Sequence, residues 1–380
     1  MSTHYSAARA AECLGVSRAT LYSYVSRGLL RSRPVRGKRS REYSREDVER
    51  LAAQTRGRKD PLAVARGALD FEGLPVLSSA LCLIEAGRLY YRGRDAVTLS
   101  REAHFEDVAA LLWGEPCVLP PLPRPPSAPI RRQLARLEFA AAAVAHLAML
   151  PDERDAAVHV AGSRLLAELA ALAAGFAPSS GRLAARLARA FGNPAARAER
   201  AIDAALILCA DHELNASAFA ARVAASAGAS PPMAVAAAIG ALSGHRHGGV
   251  SAAVTQLFEQ LPALPRAAAS RVLPGFGHPL YPDGDPRARR LLELCPRGPE
   301  LTRARAFAVA TQADVGLLPN LDFGLVALSR SLRLPRHAPF VLFAIGRTAG
   351  WIGHIREQYA AGTLIRPRAR YIGVPPDPTT

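Results

Sequence analysis

Apolar residues recur at intervals of three and four along most of the chain, which is the spacing of one face of an α-helix. The pattern is strongest in the middle of the chain, where alanine and leucine supply most of the apolar positions and favour closely packed helices. It predicts an almost wholly helical body. The predicted helices comprise residues 105–113, 131–150, 155–174, 181–191 and 196–210.

Two stretches interrupt this helical pattern. Residues 88–92 include Leu89, Tyr90 and Tyr91, and such residues favour a short strand. Residues 117–129 contain six prolines. Because proline cannot continue a helix, we predict an irregular connector there.

The first sixty residues follow a different pattern. Ser6 is a natural N-cap for a helix at residues 7–14, and Ser17 is one for a second helix at residues 18–26, after a Gly-Val turn. Two helices joined by a glycine-containing turn predict a helix-turn-helix. A third helix is predicted at residues 45–55.

A strongly basic segment lies between the second and third of these helices. Residues 31–41 hold six basic residues and no acidic one, around a proline and a glycine, which is typical of a loop or hairpin wing. With residues 7–11 and 20–24, the segment resembles the MerR-type winged helix-turn-helix family, which implies contacts with DNA phosphates and base edges. The residues expected to make those contacts are Arg18, Thr20, Tyr22, Arg33, Arg36 and Arg39. The alternative is a solvated basic appendage that only assists folding or dimerisation.

Charge is distributed unevenly along the chain. The formal net charge is +16, and residues 1–60 hold 14 basic against 6 acidic residues, which is half of the excess. This asymmetry indicates a polyanionic partner for the N-terminal region. We therefore expect a domain at residues 1–56, a linker at 57–70 and a larger domain at 71–380.

The remaining composition predicts a cytoplasmic protein without a membrane segment. The five cysteines are scattered without metal-ligand spacing, which is typical of a reducing compartment. The first residues lack an apolar signal core. The longest apolar-rich run, residues 139–150, is far shorter than the ~20 residues that a membrane span needs. No metal site or tightly held cofactor is indicated.

Candidate chemistry is concentrated in residues 243–288. This segment combines His245, His247 and His278 with a group of flanking glycines. Glycine lets the backbone approach a ligand, and histidine exchanges a proton near neutral pH. The segment therefore predicts a polar site rather than a core.

Six blocks of sequence resemble the citrate synthase family and occur in its order between residues 74 and 373. They are SGHRHGG at 243–249 with GFGHP at 275–279, DHELNAS at 211–217, PNLDF at 319–323, FAIGRTAGW at 343–351, IRPR at 365–368 and a weaker match, YRGRD, at 91–95. The resemblance implies a mostly all-α fold, with a two-lobed multi-helical body beside the small winged helix-turn-helix domain. The small lobe would comprise about residues 216–320.

The resemblance also implies a reaction, the joining of an acyl-CoA to a 2-oxo acid. In its usual form, acetyl-CoA, oxaloacetate and water give citrate and CoA. Asp322 matches the family's base, His247 its donor to the thioester oxygen, and His278 the residue that polarises the oxo-acid carbonyl. A methyl group next to a thioester is a very weak acid, so its deprotonation needs both a positioned base and an oxyanion donor.

Binding of the dicarboxylate substrate is assigned by the same resemblance. Arg287, Arg347 and Arg366 match the family's carboxylate-binding arginines, and guanidinium binds carboxylate as a two-pronged fork. His212 matches a further contact to the oxo acid. Arg366 precedes Pro367, which favours extended backbone. In the family this arginine enters the partner's site, so the resemblance implies a homodimer.

Some positions depart from the family pattern, and two functions stay open. Val250 and Ser251 stand where relatives commonly have Ala-Asn, and Pro282 stands where many have a basic residue that helps to hold CoA.

One hypothesis is an enzyme, either a citrate synthase or a 2-methylcitrate synthase that uses propionyl-CoA. The other is a DNA-binding regulator whose body senses a di- or tricarboxylate without turnover. The intact base and imidazoles favour the enzyme; the basic N-terminus and altered CoA region favour the regulator.

Overall fold

The structure is a computed structural model that describes residues 4–14, 16, 20–21, 24–25, 30–34, 41–45, 47–48, 77–121, 124–152, 157–260, 273–367 and 373. Contacts along the chain divide it into two units, Met1–Val76 and Leu77–Thr380. The linker predicted at 57–70 lies outside the described residues, and the lobe boundary at about 216–320 stays a prediction.

The described part of the first unit contains a helix at Ala7–Leu14, helical residues at 20–21, 24–25, 45 and 47–48, and a three-stranded antiparallel sheet. Its elements are β1 (His4–Ser6), α1 (Ala7–Leu14), β2 (Ser32–Pro34) and β3 (Arg41–Ser44), and the strand order is β1-β3-β2. The other residues of the helices predicted at 18–26 and 45–55 lie outside the described residues. Helix α1 has the predicted bounds, and β2 and β3 are the two arms of the predicted wing. Strand β1 was not predicted, because three residues of mixed polarity carry no periodic signal. It forms by pairing with β3, with Tyr5 opposite Tyr43.

Two of the six predicted DNA-contacting residues are described, Thr20 and Arg33. Arg33 is exposed on β2, and its guanidinium lies 3.0 Å from the Glu42 carboxylate on β3. The remaining four, Arg18, Tyr22, Arg36 and Arg39, lie outside the described residues.

The second unit begins with a small antiparallel sheet and continues as helices. The strands are β4 (Cys82–Glu85), β5 (Arg88–Tyr91) and β6 (Arg94–Asp95), in that order, and β5 confirms the predicted strand. The helices are α2 (Ala96–Glu102), α3 (Phe105–Trp113), α4 (Ala128–Leu134), α5 (Phe139–Ala148), α6 (Val158–Ala173), α7 (Leu183–Ala190), α8 (Ala196–Cys209), α9 (Ala216–Ser226), α10 (Pro231–Leu242), α11 (Val250–Gln260), α12 (Pro286–Leu294), α13 (Pro299–Val315), α14 (Leu321–Ser331) and α15 (Ala338–Ala361).

Helix α15 is the central element of this unit. It packs against α3, α6, α8 and α9, and most of its 24 residues are buried. Glycines permit the close approach: at Gly350 an added Cβ would lie 2.4 Å from the Ala210 carbonyl oxygen. The Trp113 indole N–H, from α3, donates to the Ala349 carbonyl oxygen at 2.8 Å. The helix therefore joins several layers of the core.

The prediction of one continuous helix at residues 131–150 is wrong, because the structure has two helices there, α4 and α5. The backbone N–H groups of Arg136 and Leu137 donate to residues three positions earlier, which tightens the end of α4. Glu138 then adopts extended backbone, with ψ 148°. The turn lets α5 pack on α6 and α10. Apolar spacing continues across the break, so periodicity alone did not reveal it.

Within the described ranges, no helix combines the length and the apolar character needed to span a bilayer.

Candidate active site

One cavity in the second unit brings together residues from six separate stretches of the chain. Its volume is about 270 Å³. Six of the seven residues predicted for catalysis and carboxylate binding line it: His212, His247, His278, Arg287, Asp322 and Arg347. The seventh, Arg366, is exposed on the segment after α15 and does not line the cavity. Among the described residues, no group of His, Cys, Asp or Glu side chains could hold a metal ion.

Arg347 reaches the cavity from the middle of α15, where it is anchored to the end of α8. At Gly346 an added Cβ would lie 2.7 Å from the Leu206 carbonyl oxygen, so the two helices almost touch. Arg347 Nε donates to the Cys209 carbonyl oxygen at 2.6 Å. Its guanidinium lies 4.9 Å from the centre of the Phe343 ring. Burial lowers the pKa of Arg347, but a guanidinium stays protonated at neutral pH.

Arg287 stands in the first turn of α12, and the carboxylate of Asp285 fixes its direction. Asp285 Oδ1 accepts from the Arg287 backbone N–H at 3.0 Å and from Nε at 2.9 Å. Its Oδ2 accepts from Nη2 at 2.8 Å. Burial opposes the charged form of Arg287, but the Asp285 carboxylate outweighs this effect and the pKa of Arg287 is raised. The result is a buried cation with one compensating charge.

His278 and His212 stand beside each other, with ring centres 5.1 Å apart. The Leu280 backbone N–H donates to His278 Nδ1 at 3.2 Å, so in the neutral ring Nε2 carries the proton. Burial, and then the charge of Arg287, lower the pKa of His278 to about 4. His212 Nε2 lies 3.0 Å from the Tyr281 hydroxyl, and burial lowers the pKa of His212 well below its usual value. Both imidazoles are therefore neutral at pH 7.

His247 is held by a small polar network at the start of α9. Its Nε2 lies 2.9 Å from Ser217 Oγ and 3.2 Å from Asn215 Oδ1. The Trp351 indole N–H, from α15, lies 3.2 Å from the same Ser217 Oγ. Burial, and then the charge of Arg347, lower the pKa of His247 to about 4. This imidazole is likewise neutral at pH 7.

Asp322 lies in the first turn of α14, and Asn320 sets the start of that helix. Asn320 Oδ1 accepts from the Asp322 backbone N–H at 3.1 Å. The Asn320 backbone N–H donates to the Gly275 carbonyl oxygen at 2.9 Å, and its Nδ2 donates to the Gly277 carbonyl oxygen at 3.1 Å. Gly277 has φ +71°, a conformation that favours glycine. The loop before His278 and the helix that carries Asp322 are thus joined directly.

Asp322 is half-buried, and its Oδ1 is a buried atom with no hydrogen-bond partner in the described part of the chain. Burial raises the pKa of Asp322 to about 7; Arg287 and Arg347 oppose the shift, while Asp285 adds to it. A carboxyl group with a pKa near the working pH suits a general base.

Sequence reasoning missed several residues that hold this site. Asn215 and Ser217 were noticed only as letters of a motif, although an Asn-x-Ser sequence before a helix is an N-cap signal. Asp285 carries the same signal before Pro286. Arg246, exposed beside His247, also lines the cavity. Trp351 was likewise noticed only as part of a motif, and Tyr281 gave no local signal, because its partner is distant in sequence.

These helices and this cavity define a protein of the citrate synthase fold. Residues 126–368 match the family described as "Citrate synthase, C-terminal domain", and residues 5–56 match "Helix-turn-helix domain". The chain belongs to the citrate synthase family, with a helix-turn-helix region at its N-terminus.

Curated relatives agree with this assignment. "Citrate synthase 2" of Bacillus subtilis is 37% identical over 188 residues, which is 46% of this chain and 50% of that protein. The chain thus spans about half the length of this relative. "Citrate synthase" of Haloferax volcanii is 32% identical across 80% of this chain and 94% of its own length. "2-methylcitrate synthase" of Mycobacterium tuberculosis is 32% identical across 76% of this chain and 86% of its own length.

Solved structures agree on the fold. Citrate synthase from Thermotoga maritima superposes with a TM-score of 0.67 at 24% identity, across 82% of this chain and 98% of that one. A second solved structure is the citrate synthase of Thermoplasma acidophilum in a ternary complex with carboxymethyl coenzyme A and oxaloacetate. It superposes with a TM-score of 0.66 at 22% identity, across 82% of this chain and 97% of that one.

Proposed function

We propose that this protein joins an acyl-CoA to a 2-oxo acid and acts as a citrate synthase on acetyl-CoA and oxaloacetate. The observation that carries the proposal is the cavity in which Asp322, His247 and His278 meet Arg287 and Arg347. The combination supplies a base, two neutral hydrogen-bond donors and two cations for a dicarboxylate. The named relatives support the same substrates, and one of them extends the class to 2-methylcitrate.

In the first step Asp322 removes a proton from the methyl group of the acyl thioester, and His247 donates to the developing enolate oxygen. The Ser217 hydroxyl donates to Asn215 Oδ1 at 2.7 Å, and Ser217 Oγ accepts from the Trp351 indole N–H. Asn215 Oδ1 also accepts the backbone N–H groups of Ser217 and Ala218 at 3.1 Å each. With both groups against Nε2, this network holds the His247 ring in a fixed orientation.

In the second step the enolate carbon attacks the ketone of the oxo acid. Arg287 and Arg347 hold the carboxylates, and His278 Nε2–H donates a hydrogen bond to the carbonyl oxygen. The alkoxide that forms with the carbon–carbon bond takes up one proton, which balances the proton that Asp322 removed, so His278 is neutral again after the step. Water then hydrolyses the thioester of the product and releases CoA as a free thiol. The pKa of about 4 at both imidazoles keeps them neutral, so each one acts as a donor without a fixed charge.

The release of CoA thiol tests the proposal directly. We expect the wild-type protein to release thiol from acetyl-CoA only when oxaloacetate is present, measured with a thiol-reactive dye. Propionyl-CoA in parallel tests the methylcitrate variant of the same chemistry. Absence of thiol from both acyl donors would reject the enzyme in favour of a carboxylate sensor.

We further propose that Arg366 completes the cavity of a partner subunit in a homodimer. Its exposure outside its own cavity and the family resemblance support this. Arg366→Ala and Asp322→Ala subunits should each be inactive alone but recover about a quarter of wild-type activity when refolded together, because half of the random dimers carry one intact site. A monomer by light scattering, or no recovery, would count against the shared site.

The helix-turn-helix region supports a second function, association with DNA. The basic wing and the match over residues 5–56 carry this proposal. We expect binding to a labelled DNA duplex to fall steeply between about 50 and 200 mM salt. The logarithm of the binding constant falls linearly with the logarithm of the salt concentration, and the steepness of that line is the salt slope. Replacing Arg33, Arg36 and Arg39 by alanine should reduce the magnitude of the salt slope by up to about three. A control that replaces the exposed Arg132, Arg297 and Arg305 removes equal charge from the second unit and should leave the slope unchanged. A triple wing variant that binds like wild type would contradict the assignment.

A further inference from the structure

Asp285 lies behind the cavity wall and makes contacts that the proposed reaction does not yet use. Its side chain is fully buried. Three of its contacts go to Arg287, as described above. The fourth goes to another helix: Oδ2 accepts from the Leu321 backbone N–H at 3.0 Å. Leu321 is the first residue of α14 and the neighbour of Asp322.

Each oxygen of the Asp285 carboxylate therefore accepts two donors, one pair on Oδ1 and one pair on Oδ2. Only an ionised carboxylate offers four acceptor positions in this arrangement. In an asparagine, an NH2 group would replace one of the two oxygens. Its N–H donors would then face the two N–H donors that this oxygen accepts in the wild type. The site thus requires a carboxylate for geometric reasons as well as for charge.

We propose that Asp285 is a positioning residue that joins the cation for the oxo acid, Arg287, to the start of the helix that carries the base, Asp322. The inference rests on the proposed function. Through one side chain, the place where the oxo acid binds and the place where the methyl proton leaves are held at a fixed separation. Because the acceptors are all occupied, neither element can shift without breaking a hydrogen bond to a charged group, the stronger class of hydrogen bond.

Asp285 also sets the electrostatic balance around the base. The charged groups with the largest effects on the pKa of Asp322 are Arg287 in α12, Asp285 at the N-cap of that helix, and Arg347 in α15. Arg246 also lines the cavity. The three histidines of the cavity are neutral at pH 7, as shown above. Removing the Asp285 charge leaves Arg287 uncompensated, and a nearby cation favours the ionised form of a carboxyl group. The pKa of Asp322 should then fall.

The test is steady-state kinetics of Asp285→Asn. We expect kcat to fall by about tenfold or more and the KM for oxaloacetate to rise by about tenfold or more, because hydrogen bonds to charged groups are lost. The KM for acetyl-CoA should change little. The acidic limb of the kcat profile should move to lower pH. Because a loosened site would hydrate Asp322 and lower its pKa as well, thermal melting of the variant at the same pH checks that the fold is retained.

A second variant isolates the connection to α14. Proline at the first position of a helix removes one N–H and is otherwise tolerated, and Asn320 already has the extended backbone, φ −107° and ψ −177°, that a following proline needs. Leu321→Pro should therefore lower kcat below that of Leu321→Ala, which loses similar side-chain packing but keeps the N–H. The KM for oxaloacetate should be equal in the two variants. Equal kcat values would overturn the connection to the base.

The outcomes separate this inference from the proposed function. If the wild type turns over while Asp285→Asn keeps the wild-type KM for oxaloacetate and acidic limb, the positioning role is rejected and the enzyme stands. If the wild type releases no thiol, calorimetric binding of oxaloacetate is compared for wild type, Asp285→Asn and Arg287→Leu. Equal weakening in both variants supports the role of Asp285 without catalysis, and unchanged or absent binding rejects it.

Discussion

Asp322→Asn should lower kcat for thiol release by about a hundredfold to ten-thousandfold, the range that a positioned general base contributes. The amide has nearly the shape of the carboxylic acid but cannot accept the proton. With the pKa of Asp322 at about 7, wild-type kcat should fall as the pH drops through about 7, because the base must be ionised. The variant should lack this limb. A thiol-release assay at saturating acetyl-CoA and oxaloacetate, repeated across pH, measures both effects.

Thermal stability is the control for Asp322→Asn. As the pH rises, ionisation of Asp322 increases kcat but decreases the stability of the wild-type protein. The pKa of Asp322 in the folded protein lies above its ordinary value of 3.8, so folding favours the protonated form. The contribution of Asp322 to stability is therefore present at low pH and is lost as the pH rises towards about 7. Asp322→Asn should melt higher than wild type at pH 8 and similarly at pH 4. A variant that melts lower at pH 8 would show that its activity loss reflects misfolding.

Gly350→Ala should destabilise the protein by about 1–3 kcal/mol or more, the range for an overpacked core. The added methyl carbon would lie 2.4 Å from the Ala210 carbonyl oxygen and 2.6 Å from Asp211 Oδ1. Either α15 moves away from α8 or the chain around His212 shifts. The free energy of unfolding from urea titration measures the change.

Gly240 offers a matched control for that substitution. It is also a helical glycine, in α10, but an added Cβ there meets nothing within 4 Å. Gly240→Ala should stabilise the protein by up to about 1 kcal/mol, because alanine is the better helix former. If both variants changed stability in the same direction, the close contact of α15 with α8 would not be the cause.

The sequence predicted the helical class, the helix-turn-helix and six of the cavity's polar residues, because each depends on local information. Helix periodicity, N-caps and ordered motif blocks are all visible in short windows. The break between α4 and α5 was not visible, since apolar spacing runs through it. The role of Asp285 was also hidden, because the Leu321 N–H that it holds comes from a different segment. Contacts between distant segments are set by tertiary packing, and the periodicity of apolar residues carries no information about them.

Placement of both tryptophans has a practical consequence. The chain contains two, Trp113 and Trp351, and both are fully buried. Trp113 donates to a carbonyl oxygen of α15, and Trp351 is itself a residue of α15. Intrinsic fluorescence therefore reports on that one helix and its surroundings rather than on the protein at large. Since Trp351 touches Ser217, and Ser217 touches His247, changes in emission on adding a substrate would arise beside the reacting atoms, without any attached dye.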